Sequence, residues 1–184
     1  IVIAPYDAAD AKGLLKAAIR NPNPVIFLEH EMLYGQEFEI PDVADWIVPI
    51  GKAKVVREGT DITLISWGAM MRPTLEAADD LRDLHKVNAE VIDLLSIKPM
   101  DTAALATSVA KTGRCVIVAE APRTCSVSAE IIARLNEHCF EYLLAPIKRV
   151  TGYDIHFPFF QVEQHYLPDS DTVMAAVRET MAWE

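Results

Sequence analysis

Residues 62–94 read ITLISWGAMMRPTLEAADDLRDLHKVNAEVIDL, and this stretch decides the fold class. Ile62–Trp67 is a short apolar run that stops at Gly68, the pattern of a strand ending in a turn. A helix is expected from about Pro73 to His85. Pro73 suits its first turn, and Leu75, Ala78, Leu81 and Leu84 recur at helical spacing. Ala89–Leu94 is the next strand. A strand, a helix of ten to fourteen residues and a second strand form one βαβ unit, the building block of a parallel sheet.

Downstream the rhythm repeats. Asp101 is placed to cap a helix running to about Ala110, and Thr112-Gly113 closes it. Cys115–Ala119 reads as a strand, Ser126–His138 as a helix and Ile147–Val150 as a strand after Pro146, and Asp169 or Asp171 opens a last helix. The expectation is an α/β fold in three layers, a mostly parallel sheet with helices on both faces.

Upstream, Ile1–Ile3 reads as a strand already in progress. A helix from about Asp7 to Arg20 follows, with Leu14, Leu15, Ala18 and Ile19 on one face. Asn21-Pro22-Asn23-Pro24 stops it, because a proline biases the residue before it away from the helical region. Val25–Leu28 is wholly apolar and is expected to be a buried parallel strand. Two strands do not make a stable layer, so this βαβ unit needs a sheet from elsewhere. Glu29–Asp45 is polar and acidic, a long crossing segment. The boundary is therefore expected near Trp46–Gly51, giving units 1–45 and 46–184.

The chain has 184 residues with 17 Lys plus Arg against 27 Asp plus Glu, a formal charge of −10. Nucleic acid is disfavoured as a partner, since its affinity begins with a basic face that neutralises phosphates. A basic protein partner suits this field better. No apolar stretch approaches the roughly 20 residues of a membrane span, and no secretory signal precedes Asp7 and Asp10. The three cysteines, Cys115, Cys125 and Cys139, are widely spaced with no C-x-x-C, the usage of a reducing compartment.

Side chains that could carry chemistry are few. Seven glycines form no G-x-G-x-x-G or Walker pattern, and Gly68 reads as an ordinary turn rather than a phosphate site. His30, between Glu29 and Glu31 just past a strand end, is the best local acid–base candidate, although the same residues also suit a solvated acidic loop. His156 and His165 lack the converging ligands of a metal site. His85 and His138 suit helix C-termini. Cys115 reads as core, and Cys125, beside Arg123 and just before a helix, has a setting that lowers a thiol pKa. The helix end Ala18-Ile19-Arg20-Asn21-Pro22-Asn23 offers carbonyls and an asparagine oxygen, the donor type of a hard cation, or simply a helix stop whose carbonyls meet water.

Several longer motifs go further. DAKGLLKAAIRNPNPVIFLEHEMLYG at Asp10–Gly35, the Val48–Ala53 stretch, IKPMD at Ile97–Asp101, KTGR at Lys111–Arg114 and APIKRVTGYD at Ala145–Asp154 resemble the beta subunit of thiamine-diphosphate-dependent 2-oxo acid dehydrogenases, essentially end to end. The resemblance implies that 46–184 is a transketolase C-terminal-like domain and that 1–45 is the tail of a pyrimidine-binding domain. It implies oxidative decarboxylation of a 2-oxo acid with acyl transfer to lipoyl groups. Pyruvate is the first expectation, with branched-chain 2-oxo acids, acetoin or a non-catalytic assembly role as alternatives.

The resemblance also says where the chemistry is not. The family's catalytic residues lie upstream of Ile1, and its diphosphate and Mg²⁺ motif belongs to the alpha subunit. No catalytic or cofactor-binding residue is therefore expected here, His30 does not match the family's catalytic histidine, and the isolated chain is expected to be inactive. The implied partners are an alpha subunit and a second beta subunit in a heterotetramer. A peripheral-subunit-binding domain of the acyltransferase core would dock partly through Glu184. Ala18, Ile19, Asn21 and Asn23 match potassium ligands of the family, Asn23 through its side chain. The implied compartment is the bacterial cytoplasm or the mitochondrial matrix.

Overall fold

The computed structural model describes residues 1–183; Glu184, expected at a docking contact, lies outside the described residues. In chain order the elements are β1 (Val2–Ile3), α1 (Ala8–Arg20), β2 (Ile26–Phe27), β3 (Lys54–Arg57), β4 (Ile62–Ser66), α2 (Met71–His85), β5 (Ala89–Asp93), β6 (Ser96–Lys98), α3 (Thr102–Thr112), β7 (Cys115–Pro122), α4 (Val127–Cys139), β8 (Lys148–Gly152) and α5 (Ser170–Met181).

The larger sheet has the order β3-β5-β4-β7-β8. The β5/β4, β4/β7 and β7/β8 pairs are parallel, and β3 adds an antiparallel edge to β5. Every residue of β4 and of β5 is buried, so both faces need cover. Because side chains alternate along a strand, the two faces feed different layers. Ile62 and Leu64 of β4, Val91 of β5 and Val116 and Val118 of β7 pack with Leu81 of α2 and Val177 of α5. Ile65, Ile92 and Ile117 face the other way and pack with Leu105 and Val109 of α3 and Ile131 and Leu135 of α4. This is the three-layer α/β arrangement expected from the sequence.

Helix ends follow the capping residues. Asp101 accepts from the Ala104 N–H, and Gly113 at φ 70° closes α3 in the left-handed conformation that glycine adopts without cost. Ser126 caps α4, and Asp169 rather than Asp171 caps α5 in a reciprocal box with Thr172. Helix α2 begins two residues before Pro73, preceded by a 3-10 turn at Gly68–Met70.

A smaller sheet has the order β2-β1-β6, with β1 parallel to β2 and antiparallel to β6. The first βαβ unit thus obtains its third strand from beyond residue 46. Ile3, Leu14, Val48 and Leu95 form the small core under it. The expectation that Val25–Leu28 is a buried strand is corrected: only Ile26–Phe27 is strand, and Ile26 and Leu28 are 58% and 47% exposed. An all-apolar run gives the same signal whether or not both of its faces are covered, so its composition could not tell these apart.

Where the two sheets meet, Lys54 of β3 is the one cation among three carboxylates. Its Nζ donates to Asp10 Oδ2 at 2.6 Å and to Asp7 Oδ2 at 3.1 Å. Asp7 also caps α1 through the Asp10 N–H. Asp93, opposite Lys54 in the β3/β5 register, is 1% exposed and accepts from the Leu95 N–H at 3.1 Å. Burial pushes the Asp93 carboxyl well above its usual range; the charges of Asp10 and Asp7 add to this, and the Leu95 hydrogen bond and Lys54 oppose it.

A carboxyl whose folded pKa is raised stabilises the fold fully only below its unfolded value near 3.9, and that contribution is lost as pH rises toward the folded value. Asp93→Asn keeps the acceptor for Leu95 and removes the charge. The variant is expected to match the native chain in urea melts below about pH 4 and to exceed it at higher pH. The gap should grow by up to roughly 1.4 kcal/mol per pH unit until the raised Asp93 value is reached. A gap that does not change with pH would mean that Asp93 ionises normally.

Candidate functional site: the His30 cleft and the end of the first helix

His30 is held by its backbone just past β2 and N-caps a 3-10 turn at Glu31–Leu33, with Nδ1 accepting from the Met32 N–H at 3.3 Å. Its Nε2 lies 2.9 Å from Glu120 Oε2, near the end of β7 and 90 residues away. These two contacts assign the neutral tautomer, Nε2–H donating and Nδ1 accepting. The hydrogen bond to Glu120 raises the imidazole pKa; burial opposes it, and the charges of Glu120 and Glu31 support it. Sequence reading finds His30 but pairs it with its neighbours Glu29 and Glu31. The partner in space is Glu120, which no local pattern connects to it.

Between them opens a cleft of about 530 Å³ lined by His30, Met32, Glu120, Phe157, Glu163 and Leu167. Glu29 and Glu31 also face it. Four carboxylates and one imidazole make it an anion-repelling space, unsuited to a phosphate. Among the described residues no group of three or more His, Cys, Asp or Glu side chains converges to hold a metal ion.

The residues expected to supply cation ligands lie at the end of α1. The Asn21 N–H donates to the Ala18 carbonyl at 3.1 Å. Asn21 Oδ1 accepts from the Asn23 N–H at 2.9 Å and from Asn23 Nδ2 at 3.1 Å. Ala18 and Ile19 thus lie in the last turn of α1, and Asn21 at its C-cap holds Asn23 beside it. These four residues carry four carbonyl and two side-chain amide oxygens, of which the Ala18 carbonyl and Asn21 Oδ1 already accept hydrogen bonds.

The remaining sequence candidates separate. Cys115 and Cys139 are buried, and burial pushes both thiols up. Cys125 is exposed, at φ 58°, one residue before the Ser126 cap. His85, His138, His156 and His165 are exposed and in four different places; His156 Nδ1 meets the Phe157 carbonyl. Gly68, at φ 55°, is set by its turn. No helix is long and apolar enough to cross a membrane among the described residues.

Residues 51–173 match the family model of the transketolase C-terminal domain. The chain is 48% identical over 178 residues to the pyruvate dehydrogenase E1 component subunit beta of Rhizobium meliloti, covering 96% of this chain and 38% of that protein. It is 46% identical to the mitochondrial counterpart of Saccharomyces cerevisiae, covering 100% and 51%, and 43% identical to the 2-oxoisovalerate dehydrogenase subunit beta of Dictyostelium discoideum, covering 99% and 49%. The chain thus spans about half or less of the length of these relatives. A solved split-gene transketolase, described as an inactive beta4 tetramer, superposes with a TM-score of 0.80 at 28% identity, over 99% of this chain and 57% of that one.

The contrast between the thiols is directly measurable. In the native chain, Cys125 is expected to react with a thiol reagent at the rate of an accessible cysteine. Cys115 and Cys139 should react only after denaturation, so titration should count one thiol and then three. A count of two or three in the native state would contradict the burial of the β7 and α4 thiols.

Proposed function

The chain belongs to the transketolase C-terminal domain family, and from that premise we propose that it forms the C-terminal part of the beta subunit of a 2-oxo acid dehydrogenase. The observation that carries the proposal is identity of 43–48% across nearly the whole of this chain to beta subunits of that class. Two of the three relatives cited carry the name pyruvate dehydrogenase, which supports pyruvate as the substrate of the whole enzyme.

Units 1–45 and 46–184 are then the tail of a pyrimidine-binding domain and the transketolase C-terminal-like domain. The reaction of the whole enzyme is decarboxylation of the 2-oxo acid and transfer of its acyl group to a lipoyl arm, with thiamine diphosphate as the electron sink. The residues of this chain do not fit that cofactor: the His30 cleft is ringed by carboxylates, and no basic cluster converges there to hold a diphosphate. No catalytic step is therefore assigned to this chain, and neither thiamine diphosphate nor Mg²⁺ is placed on it. Its work is assembly with an alpha subunit and a second beta subunit. The exposed Ile26 and Leu28 of the β2 region suit a surface that further chain covers. Docking of a basic peripheral-subunit-binding domain, with Glu184 at the contact, agrees with the net charge of −10. The compartment would be cytoplasm or mitochondrial matrix.

Supplied with thiamine diphosphate, Mg²⁺ and pyruvate, the chain alone is expected to release no CO₂. Co-expression with an alpha subunit and the N-terminal half of a relative's beta subunit should restore turnover, faster on pyruvate than on 2-oxoisovalerate. Turnover by the chain alone, or none in the reconstituted complex, would overturn the proposal.

Potassium at Ala18, Ile19, Asn21 and Asn23 belongs to the same reading, with further oxygens supplied by the rest of the enzyme. In that reconstituted complex the melting temperature is expected to be several degrees higher in KCl than in NaCl at equal ionic strength. Asn23→Ala should abolish the difference, and equal melting in the two salts would rule the ion out.

A further inference from the structure

Residues 29–45 form a strap that crosses from β2 toward β3. Its far end is held by α1: Lys12 Nζ donates to the Pro41 carbonyl at 3.0 Å, Lys16 reaches the Ala44 carbonyl and Arg20 pairs with Asp45. Its near end, 29–38, is the wall shared by two cavities. One is the cleft already described; the other, of about 380 Å³, lies toward α1 and is lined by Tyr6, Lys12, Leu15, Phe27, Leu33 and Phe38.

Apolar contacts seat this wall. Leu33 packs against the core beneath α2 and α5, and Phe38 meets Tyr6 edge-on at 5.4 Å. Among the described residues, the only hydrogen bond that ties 29–38 to the five-stranded sheet is His30 Nε2 to Glu120. The other hydrogen bonds of 29–38 stay within it: Tyr34 to Glu29, Gln36 to the Met32 carbonyl and Met32 N–H to His30 Nδ1.

The imidazole thus serves two masters through two nitrogens, and a proton decides between them. Neutral, with hydrogen on Nε2, it makes both bonds: a neutral donor to Glu120 and an acceptor for Met32. Charged, it carries hydrogen on both nitrogens. The bond to Glu120 becomes charge-assisted and roughly twice as strong, but Nδ1–H now opposes the Met32 N–H and the turn loses its cap. At 3.3 Å and solvent-exposed, that cap is the weaker bond and water can replace it.

We propose that His30 is a two-position proton switch, trading the cap of its own turn for a tighter grip on Glu120 and so setting how firmly residues 29–38 are held against the sheet.

The charges around it bear on the sign. Glu120 comes from β7, Glu163 from the 3-10 turn at Glu163–His165, and Glu29 and Glu31 from the strap itself. Each favours the charged ring. From α1, Lys12 and Asp7 face the other cavity, with Lys12 turned to the Pro41 carbonyl and Asp7 to Lys54. A histidine whose folded pKa is raised by its partner gives its full stabilisation below the unfolded value near 6.5, and that is lost as pH rises through the folded value. The strap is therefore gripped on the acid side of the His30 midpoint and loosened on the alkaline side. The ratio of held to released strap changes tenfold for each unit that the bound midpoint stands above that of the free ring.

The test is a ¹⁵N NMR titration of the 184-residue chain, with limited proteolysis of the strap at the same pH values. The His30 midpoint should lie above 6.5. Above it, the ring nitrogens should report hydrogen on Nε2 and none on Nδ1, and the Met32 amide proton should shift downfield with the same midpoint as its hydrogen bond forms. Cleavage within 29–38, corrected for protease activity, should rise several-fold across that midpoint. Glu120→Gln should bring the midpoint down to or below 6.5, and His30→Asn should make the cleavage rate independent of pH. A ring bearing hydrogen on Nδ1 when neutral, a midpoint unmoved by Glu120→Gln, or cleavage of the native chain that is flat with pH would each overturn the proposal. The ring titration of the native chain decides by itself if either variant fails to fold.

Discussion

The fold depends on the complete burial of β4. All five of its residues, Ile62–Ser66, are shielded from solvent, and a strand with no exposed face demands a partner on each edge and a layer on each side. The edges are met by the parallel ladders to β5 and β7. The layers are met by α2 with α5 on one face and α3 with α4 on the other. Even the polar residues of β4 answer to this constraint. Thr63 Oγ1 bonds Ser108 Oγ at 2.7 Å and Thr112 Oγ1 at 2.8 Å on α3, and Ser66 Oγ donates to the Val118 carbonyl at 3.1 Å. A buried hydroxyl without such a partner costs about 1–3 kcal/mol, so these bonds fix which residues of α3 face the sheet.

The first βαβ unit is attached on different terms. Its small core of Ile3, Leu14, Val48 and Leu95 is modest, and β1 pairs with β6 only through Val2–Lys98 and Ile3–Ser96. Much of the remaining attachment is ionic: Lys54 between Asp7 and Asp10, with Asp93 behind. One ammonium cannot neutralise three carboxylates. The solution is unequal: Asp7, the most exposed of the three, is held below its usual range by its bonds to the Asp10 N–H and Lys54 despite its burial, while burial raises Asp10 and Asp93. The contact of Asp7 and Asp10 with β3 and β5 is thus more polar than the apolar layers on either face of the five-stranded sheet.

The legible parts of the sequence were those that depend on local chemistry. Alternating strands and helices, the cap at Asp101 and the left-handed Gly113 could all be read because each is decided within a few residues. β3 and β6 could not. Val55 and Val56 of the edge strand β3 are 43% and 40% exposed, so no buried face marks it. β6 follows Leu95, which sits at φ 53° without being a glycine; its left-handed turn is stabilised by the Asp93 acceptor and by burial, neither of which is a sequence signal. The same holds at the site. His30 was legible as a titratable residue past a strand end, but its partner Glu120 reaches it only because β7 runs parallel to β4 and extends beyond it.

That extension links the fold to the cleft. In β7 the apolar run Cys115–Ala119 ends where the sheet stops covering both faces, and Glu120 is the first of its residues that is not buried. Gly152 of β8 lies beside it, where an added Cβ would come within 2.4 Å of the Tyr166 ring and 2.6 Å of the Glu120 carbonyl. A contact that close permits no side chain, so Tyr166 can lie over the strand ends and meet Phe157 edge-on at 5.0 Å. The wall of the cleft is therefore built by the end of the sheet itself: parallel strands place a carboxylate at the first uncovered position, and a glycine lets an aromatic ring close the space beside it. The strap meets a fixed acceptor there because Glu120 is anchored by the strand whose other end lies in the core.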